Sequence, residues 1–277
     1  MMCDWDSLLA VLPPKLKSSL QGNRREGLQE LRLRLGNKPE FNYGNYLEYD
    51  EHIVTREDIH YIVNAASRYS PWQAETISKG YLSVRGGHRI GLCGEVICSG
   101  SVVKGIRDPD SLCIRIAWDV PGIGKPYMTL KGSVLILGAP GWGKTTLLRD
   151  LARQIAQTEN TVVLDERGEL FPEGCTRGKR MDVLRMCPKP EGIELAIRAL
   201  GPQTIALDEI TGEEDSKTIL QGANCGVRFL ATAHAASRED LHNRRSYRIL
   251  VDEGIFQNIL LLHKDKTCTW ERVGTCS

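Results

Sequence analysis

The sequence has no apolar run of membrane-spanning length; its longest, residues 134–137 and 259–262, are strand-sized. It opens with Asp4 and Asp6 and no basic stretch ahead of an apolar core, so no secretory leader is expected. None of its nine cysteines forms a C-x-x-C pair, so a zinc module is not expected. An odd cysteine count without a leader predicts reduced thiols in a cytosolic protein. Charge of one sign is also missing: 36 Lys and Arg stand against 35 Asp and Glu, a net charge of +1. That balance argues against a protein that holds nucleic acid by bulk positive charge. There is no internal repeat and no low-complexity tract. What remains, 277 residues that are 41% hydrophobic and 26% charged, suits one or two folded domains.

The first part of the chain reads as α+β. Leu31, Leu33 and Leu35 alternate with Arg32 and Arg34, the period of a half-exposed strand. Thr55 with Asp58 three residues on reads as a helix cap, and Ile59, Ile62, Val63 and Ala66 follow at helical spacing. Two strand-like runs flank Gly86-Gly87, a two-residue hairpin signal. Pro121-Gly-Ile-Gly-Lys-Pro126 breaks both periodicities and reads as a linker. Beyond it, strand and helix alternate. Strands are expected at 134–137, 161–164, 204–207, 227–231 and 259–262, and helices from Thr145, over 193–200 and over 213–225. Repeated β-α-β order predicts a parallel sheet with helices on both faces. The division is therefore an N-terminal α+β domain over 1–120, a linker over 121–127 and an α/β domain over 128–277.

Gly138-Ala139-Pro140-Gly141-Trp142-Gly143-Lys144-Thr145 fits G-x-x-x-x-G-K-[ST], directly after an apolar strand and directly before an amphipathic helix. Its glycines let backbone N–H groups point at phosphate oxygens, and the helix N-terminus adds positive dipole there. Lys144 would reach the β- and γ-phosphates and the Thr145 hydroxyl would hold Mg²⁺, with Thr146 completing the loop. Trp142 suits either packing or a lid over the nucleotide. Ile205-Ala-Leu-Asp208-Glu209 is an apolar strand ending in two acids: Asp208 for Mg²⁺, Glu209 to deprotonate the attacking water. That acid pair favours ATP over a GTP switch, and no N-K-x-D signature is present. Thr232-Ala-His234 ends another strand and suits a γ-phosphate sensor or a subunit contact. Asp165-Glu166-Arg167 ends a further strand at the same sheet edge; Glu166 or Asp165 would position Mg²⁺ or water, or pair with Arg167. Arg89, Arg107 and Arg115 are candidates for positive charge on the transition state, and Arg198 for a partner of Asp208 and Glu209, the Walker B acids.

Gly138 to Thr146, Leu164-Asp-Glu-Arg-Gly-Glu169, Arg180-Met-Asp-Val-Leu184, Cys187-Pro-Lys189, Arg198-Ala-Leu-Gly-Pro202, Leu207-Asp-Glu-Ile210 with Glu214-Asp215, and Thr232-Ala-His234 together resemble the stage III sporulation AA family of endospore-forming bacteria. Gly86-Gly-His-Arg-Ile-Gly91 and Ile114-Arg-Ile116 extend the resemblance toward the N-terminus. That family is similar to the secretion ATPases of type II and type IV systems. The resemblance implies a RecA-like P-loop ATPase domain behind a smaller N-terminal domain, and a ring, as a hexamer, that binds ATP and Mg²⁺. It implies that Arg89 and Arg115 are arginines supplied from the N-terminal domain, that His234 is a His-box histidine, and that Asp165 and Glu166 form an acidic box. It implies membrane-protein partners in the sporulation channel, with the protein peripheral on the cytoplasmic, mother-cell face; the near-zero net charge adds that no nucleic acid is expected. Secretion ATPases often carry Gly where this chain has Asp208, and a four-cysteine zinc module that this chain lacks. The rival class is a nucleic-acid-dependent RecA-like ATPase, for which Arg238, Arg244, Arg245 and Arg248 supply a basic cluster.

Overall fold

The structure, a computed structural model, describes residues 2–67, 80–235 and 237–273. It divides into two compact units. One is Met2–Asp119 together with Pro172–Cys175; the other begins at Val120, runs to Phe171 and resumes at Thr176.

The N-terminal unit is an antiparallel sheet sharing a core with helices. Its elements are α1 (Trp5–Val11), α2 (Pro14–Ser19), β1 (Glu30–Arg34), β2 (Glu40–Asn42), β3 (Leu47–Tyr49), α3 (Arg56–Ser67), β4 (Tyr81–Val84), β5 (His88–Ser99) and β6 (Val102–Arg115). The sheet order is β3-β2-β1-β6-β5-β4. In β1 the alternation holds: Leu31 and Leu33 are buried, while Arg34 reaches Glu40 at 2.9 Å. Thr55 and Asp58 form the expected reciprocal cap, Asp58 N–H donating to Thr55 Oγ1 and Thr55 N–H to Asp58 Oδ2. The α3 helix behind it buries Ile59, Ile62 and Ala66. Val84 pairs with His88, so the β4–β5 turn has three residues, Arg85–Gly87, one more than the expected loop. Gly86 and Gly87 both take positive φ there (82° and 88°), which glycine adopts without steric cost.

The second unit is a seven-stranded α/β sheet. Its elements are β7 (Ser133–Leu137), α4 (Lys144–Ile155), β8 (Thr161–Asp165), β9 (Met181–Arg185), α5 (Lys189–Ala199), β10 (Thr204–Leu207), α6 (Glu213–Asn224), β11 (Arg228–Ala233), α7 (Arg238–Asn243), α8 (Arg245–Asp252), β12 (Phe256–Leu262) and β13 (Cys268–Arg272). The order is β13-β12-β7-β11-β10-β8-β9, parallel apart from β13. Leu135, Leu164, Leu207 and Phe229 share a core with Ile193 of α5, Ile219 of α6 and Leu250 of α8. The other face takes the buried Leu147, Leu148 and Leu151 stripe of α4, each side chain contributing about 2 kcal/mol of burial. Residues 121–127, expected as a linker, are tied to α4: the Gly122 and Gly124 N–H groups both donate to Asp150 Oδ2 at 2.8 Å.

Strand β11 lies between β7 and β10, so the carboxyl ends of these three strands stand side by side. The phosphate loop follows β7, Asp208-Glu209 follows β10, and Thr232 and His234 sit at the end of β11. Residues far apart in the chain thereby reach one edge of the sheet.

Candidate functional site

The loop after β7 is built by glycine. Gly141 and Gly143 take φ of 76° and 102°, conformations an L side chain rarely adopts. With them the backbone turns directly into α4, a helix of 12 residues that starts at Lys144. A helix start leaves N–H groups without intrahelical partners and concentrates positive dipole, the two features an anion needs. Trp142 is half-buried, and its backbone N–H donates to Ala139 O at 3.3 Å. Thr146 is half-buried and is the third residue of α4. Lys266, in the β12–β13 turn, donates to Gly141 O at 2.6 Å, a buttress of the loop that the sequence did not announce.

Lys144 is buried and uses all three ammonium protons: on Gly138 O at 2.7 Å, on Ala139 O at 3.1 Å and on His234 Nδ1 at 3.0 Å. Burial pulls its pKa below the ordinary lysine value, and the nearby Asp208 and Glu209 push the other way. Because Nδ1 accepts from an ammonium, the proton of neutral His234 sits on Nε2, which lies 3.2 Å from Glu209 Oε1.

Thr145 Oγ1 donates to Asp208 Oδ2 at 3.0 Å, joining the phosphate loop to the end of β10. Thr232 Oγ1 donates to Asp208 Oδ1 at 2.9 Å and accepts the Glu209 N–H at 2.9 Å. These contacts hold Glu209 at φ 35°, a left-handed conformation that costs a non-glycine residue about 1 kcal/mol. Its second carboxylate oxygen lies 3.9 Å from the largely exposed Arg167. Lys144, Thr145, Asp208, Glu209, Thr232 and His234 thus meet within one hydrogen-bonded and ion-paired chain.

Asp165, expected to hold metal, stands apart from that chain. Its Oδ1 accepts the N–H groups of Glu169 and Leu170 at 2.8 and 3.0 Å, and its Oδ2 that of Phe171 at 2.8 Å. The carboxylate is buried and committed to holding a loop. Glu166 pairs with Lys189 at 2.7 Å rather than with Arg167. Arg89 and Arg115 belong to the N-terminal unit, as cross-strand partners on β5 and β6. Arg89 lies over the Tyr81 ring at 3.6 Å, and Arg115 is 3.8 Å from Glu30. Arg107 pairs with Glu95 at 2.6 Å, and Arg198 is exposed in the last turn of α5. In the basic cluster, Arg244 pairs with Asp240 at 3.0 Å and Arg245 with Glu213 at 2.8 Å; the Arg238 side chain lies outside the described residues.

The donor set fits a magnesium nucleotide. Among the described residues no group of three or more His, Cys, Asp or Glu side chains is arranged to hold a metal ion. Thr145 Oγ1 and Asp208 Oδ2 are two adjacent hard oxygen donors, which suit Mg²⁺ only when phosphate oxygens and water complete its octahedron. The glycine cradle beside them is where such phosphates fit. Among the described residues no helix is long and apolar enough to cross a membrane.

Sequence comparison places this arrangement. The family described as Sporulation stage III, protein AA matches residues 7–272. The chain belongs to that family. Stage III sporulation protein AA of Bacillus subtilis (strain 168) is 36% identical over 283 residues, spanning 94% of this chain and 92% of that one. Two solved structures share the fold at low identity. The pilus retraction motor PilT, crystallised with bound ADP, superposes with a TM-score of 0.63 at 14% identity, over 91% of this chain and 81% of that one. The ATPase DotB of Legionella pneumophila gives 0.58 at 15% identity, over 94% and 80%. The stage III AA chain therefore has the RecA-like P-loop fold of secretion ATPases.

Proposed function

We propose that this member of the stage III AA family is a Mg²⁺-dependent ATPase whose hydrolysis drives a membrane-bound sporulation channel complex between mother cell and forespore. One observation carries the reading: the chain of contacts Thr145–Asp208–Thr232–Glu209–His234–Lys144 joins a phosphate cradle, a metal-ligand pair and a candidate base.

The chain's own groups divide the work. The N–H groups at the start of α4 bind phosphate oxygens. Lys144 redirects its N–H hydrogen bonds from the carbonyls of Gly138 and Ala139 to those oxygens, which compete for the same donors. Thr145 and Asp208 would hold Mg²⁺, which would supply positive charge against the phosphates. Glu209 orients the attacking water and takes its proton as the new P–O bond forms and the β–γ bridging bond breaks. His234 keeps the Glu209 carboxylate in place from its Nε2 side, and Glu166 faces the same cleft. Arg89 and Arg115 would add positive charge in a ring, as a hexamer. The work would be done on the cytoplasmic, mother-cell face, against membrane proteins of the channel and without nucleic acid.

Phosphate release at saturating Mg-ATP tests the reading. Glu209→Gln keeps ATP binding and loses turnover, and added DNA leaves the parent rate unchanged. Parent-rate hydrolysis by Glu209→Gln removes Glu209 from the role of base. Strong, salt-sensitive stimulation by DNA points instead to a nucleic-acid motor.

A further inference from the structure

Lys189 is an unexpected residue where it stands. It is the first residue of α5, behind Pro188, and its ammonium is buried. A helix start is the positive end of the dipole and favours acidic side chains, so a buried cation there pays twice, in dipole repulsion and in desolvation. Two carboxylates offset that cost: Glu166 Oε2 at 2.7 Å and Asp215 Oδ2 at 3.5 Å. A residue that contradicts its local preference and is rescued only by tertiary partners marks a functional site more often than a packing accident.

Its partners come from the two loops that wall one cleft. Glu166 follows β8; its side chain is 39% exposed while that of Lys189 is 7% exposed, so one carboxylate oxygen is pinned on a buried cation at the wall of the cleft. Asp215 opens α6 and also accepts from Thr211 N–H at 2.9 Å and Thr211 Oγ1 at 3.0 Å, which fastens it to the loop after Asp208-Glu209. Glu166, Arg167, Lys189, Asp208 and Glu209 line the cleft between these loops, which has room for about one water molecule.

We infer that Lys189 is a positioning residue for hydrolysis, a buried strut that ties the loop after β8 to the loop after β10 and aims the Glu166 carboxylate at the water Glu209 activates. The inference rests on the ATPase reading for its chemistry and on the Glu166–Lys189–Asp215 geometry for its mechanics. It separates turnover from binding, because Lys189 touches neither the phosphate loop nor Thr145.

The test uses the full chain with Lys189→Met, Lys189→Arg, Glu166→Gln and the Lys189→Met/Glu166→Gln double variant. Phosphate release gives kcat, and equilibrium binding of labelled ATP with Mg²⁺ gives Kd. Lys189→Met and Glu166→Gln each lower kcat by about tenfold or more while Kd stays within about threefold, and the double variant falls no further than Glu166→Gln, as residues acting in one unit do. Lys189→Arg, which keeps the charge, recovers part of the loss. A Lys189→Met kcat within about twofold of the parent, a Kd that rises as far as kcat falls, or losses that multiply in the double variant overturns the assignment. Amide hydrogen exchange without nucleotide gives the mechanical readout: Lys189→Met speeds exchange in both 165–171 and 209–216, and unchanged exchange in either loop overturns the strut. A parent protein that retains no ATP refutes the ATPase reading, while the exchange result still decides the strut.

Discussion

His234 Nε2 lies 3.2 Å from Glu209 Oε1, while the opposite nitrogen of the same ring accepts a hydrogen bond from Lys144. One imidazole therefore spans the distance between the lysine proposed to bind phosphate and the acid proposed to act on water. Replacing it frees both. His234→Ala lowers phosphate release by on the order of tenfold or more, the scale of a misplaced general base, while labelled ATP is still retained. A variant that hydrolyses at the parent rate shows that Glu209 is oriented without it.

Asp165 and Asp208 are both acids at strand ends, yet their surroundings assign them opposite duties. Asp165→Asn replaces an acceptor oxygen with a donor facing backbone N–H groups and destabilises the second unit by about 1–3 kcal/mol. Its Mg²⁺ requirement stays at the parent value. Asp208→Asn shifts that requirement upward with little loss of stability. Denaturant unfolding and Mg²⁺ titration of the two proteins check the contrast, and a raised Mg²⁺ requirement in Asp165→Asn contradicts it.

Asp150 is fully buried on α4, where it accepts from Gly122, Gly124 and the Arg153 guanidinium at 3.0 Å. Asp150→Ala deletes the carboxylate opposite a buried cation and leaves two backbone N–H groups without it. The expected loss is about 3–5 kcal/mol, visible as a lower denaturant midpoint. A shift below about 1 kcal/mol contradicts the account of how residues 121–127 are held.

The N-terminal unit carries an acid-sensitive histidine. His88 is buried; its Nε2 pairs with Asp4 O at 2.9 Å and its Nδ1 accepts the Ala117 N–H at 3.2 Å, so the folded ring is neutral. Burial lowers its pKa, the Asp4 carbonyl and charge opposing. The unfolded chain therefore takes up a proton first as pH falls. The His88 contribution to stability is intact above about pH 6.5 and declines below it, by up to about 1.4 kcal/mol per pH unit, until folded His88 also protonates. Unfolding measured between pH 7.5 and 5 shows the decline, and His88→Gln flattens it.

The phosphate loop, Asp208-Glu209 and the strands β7, β8, β10, β11 and β12 were legible because their apolar runs are continuous and their glycines sit at turns. Strand β9 escaped because it is an edge: Met181 is buried but Asp182 and Arg185 are exposed, so no run forms. Strand β13, with Trp270 and Glu271 exposed, escaped for the same reason. In β6, Asp108-Pro109-Asp110 reads as a breaker, yet the strand passes through it. Gly94 on β5 makes room at a register shift, where a Cβ would sit 2.8 Å from Pro109 Cα. The duties of Asp165 and Lys189 depend on loops that fold back four to six residues or across strands, and no local spacing encodes them.

Equilibrium binding of labelled ATP, with and without Mg²⁺, tests the central claim most directly. Glu209→Gln holds ATP in a Mg²⁺-dependent manner, and Lys144→Ala, stripped of the ammonium that bonds Gly138 O and Ala139 O, does not. Retention of ATP by Lys144→Ala equal to that of Glu209→Gln, or no retention by either the parent or Glu209→Gln, contradicts the account.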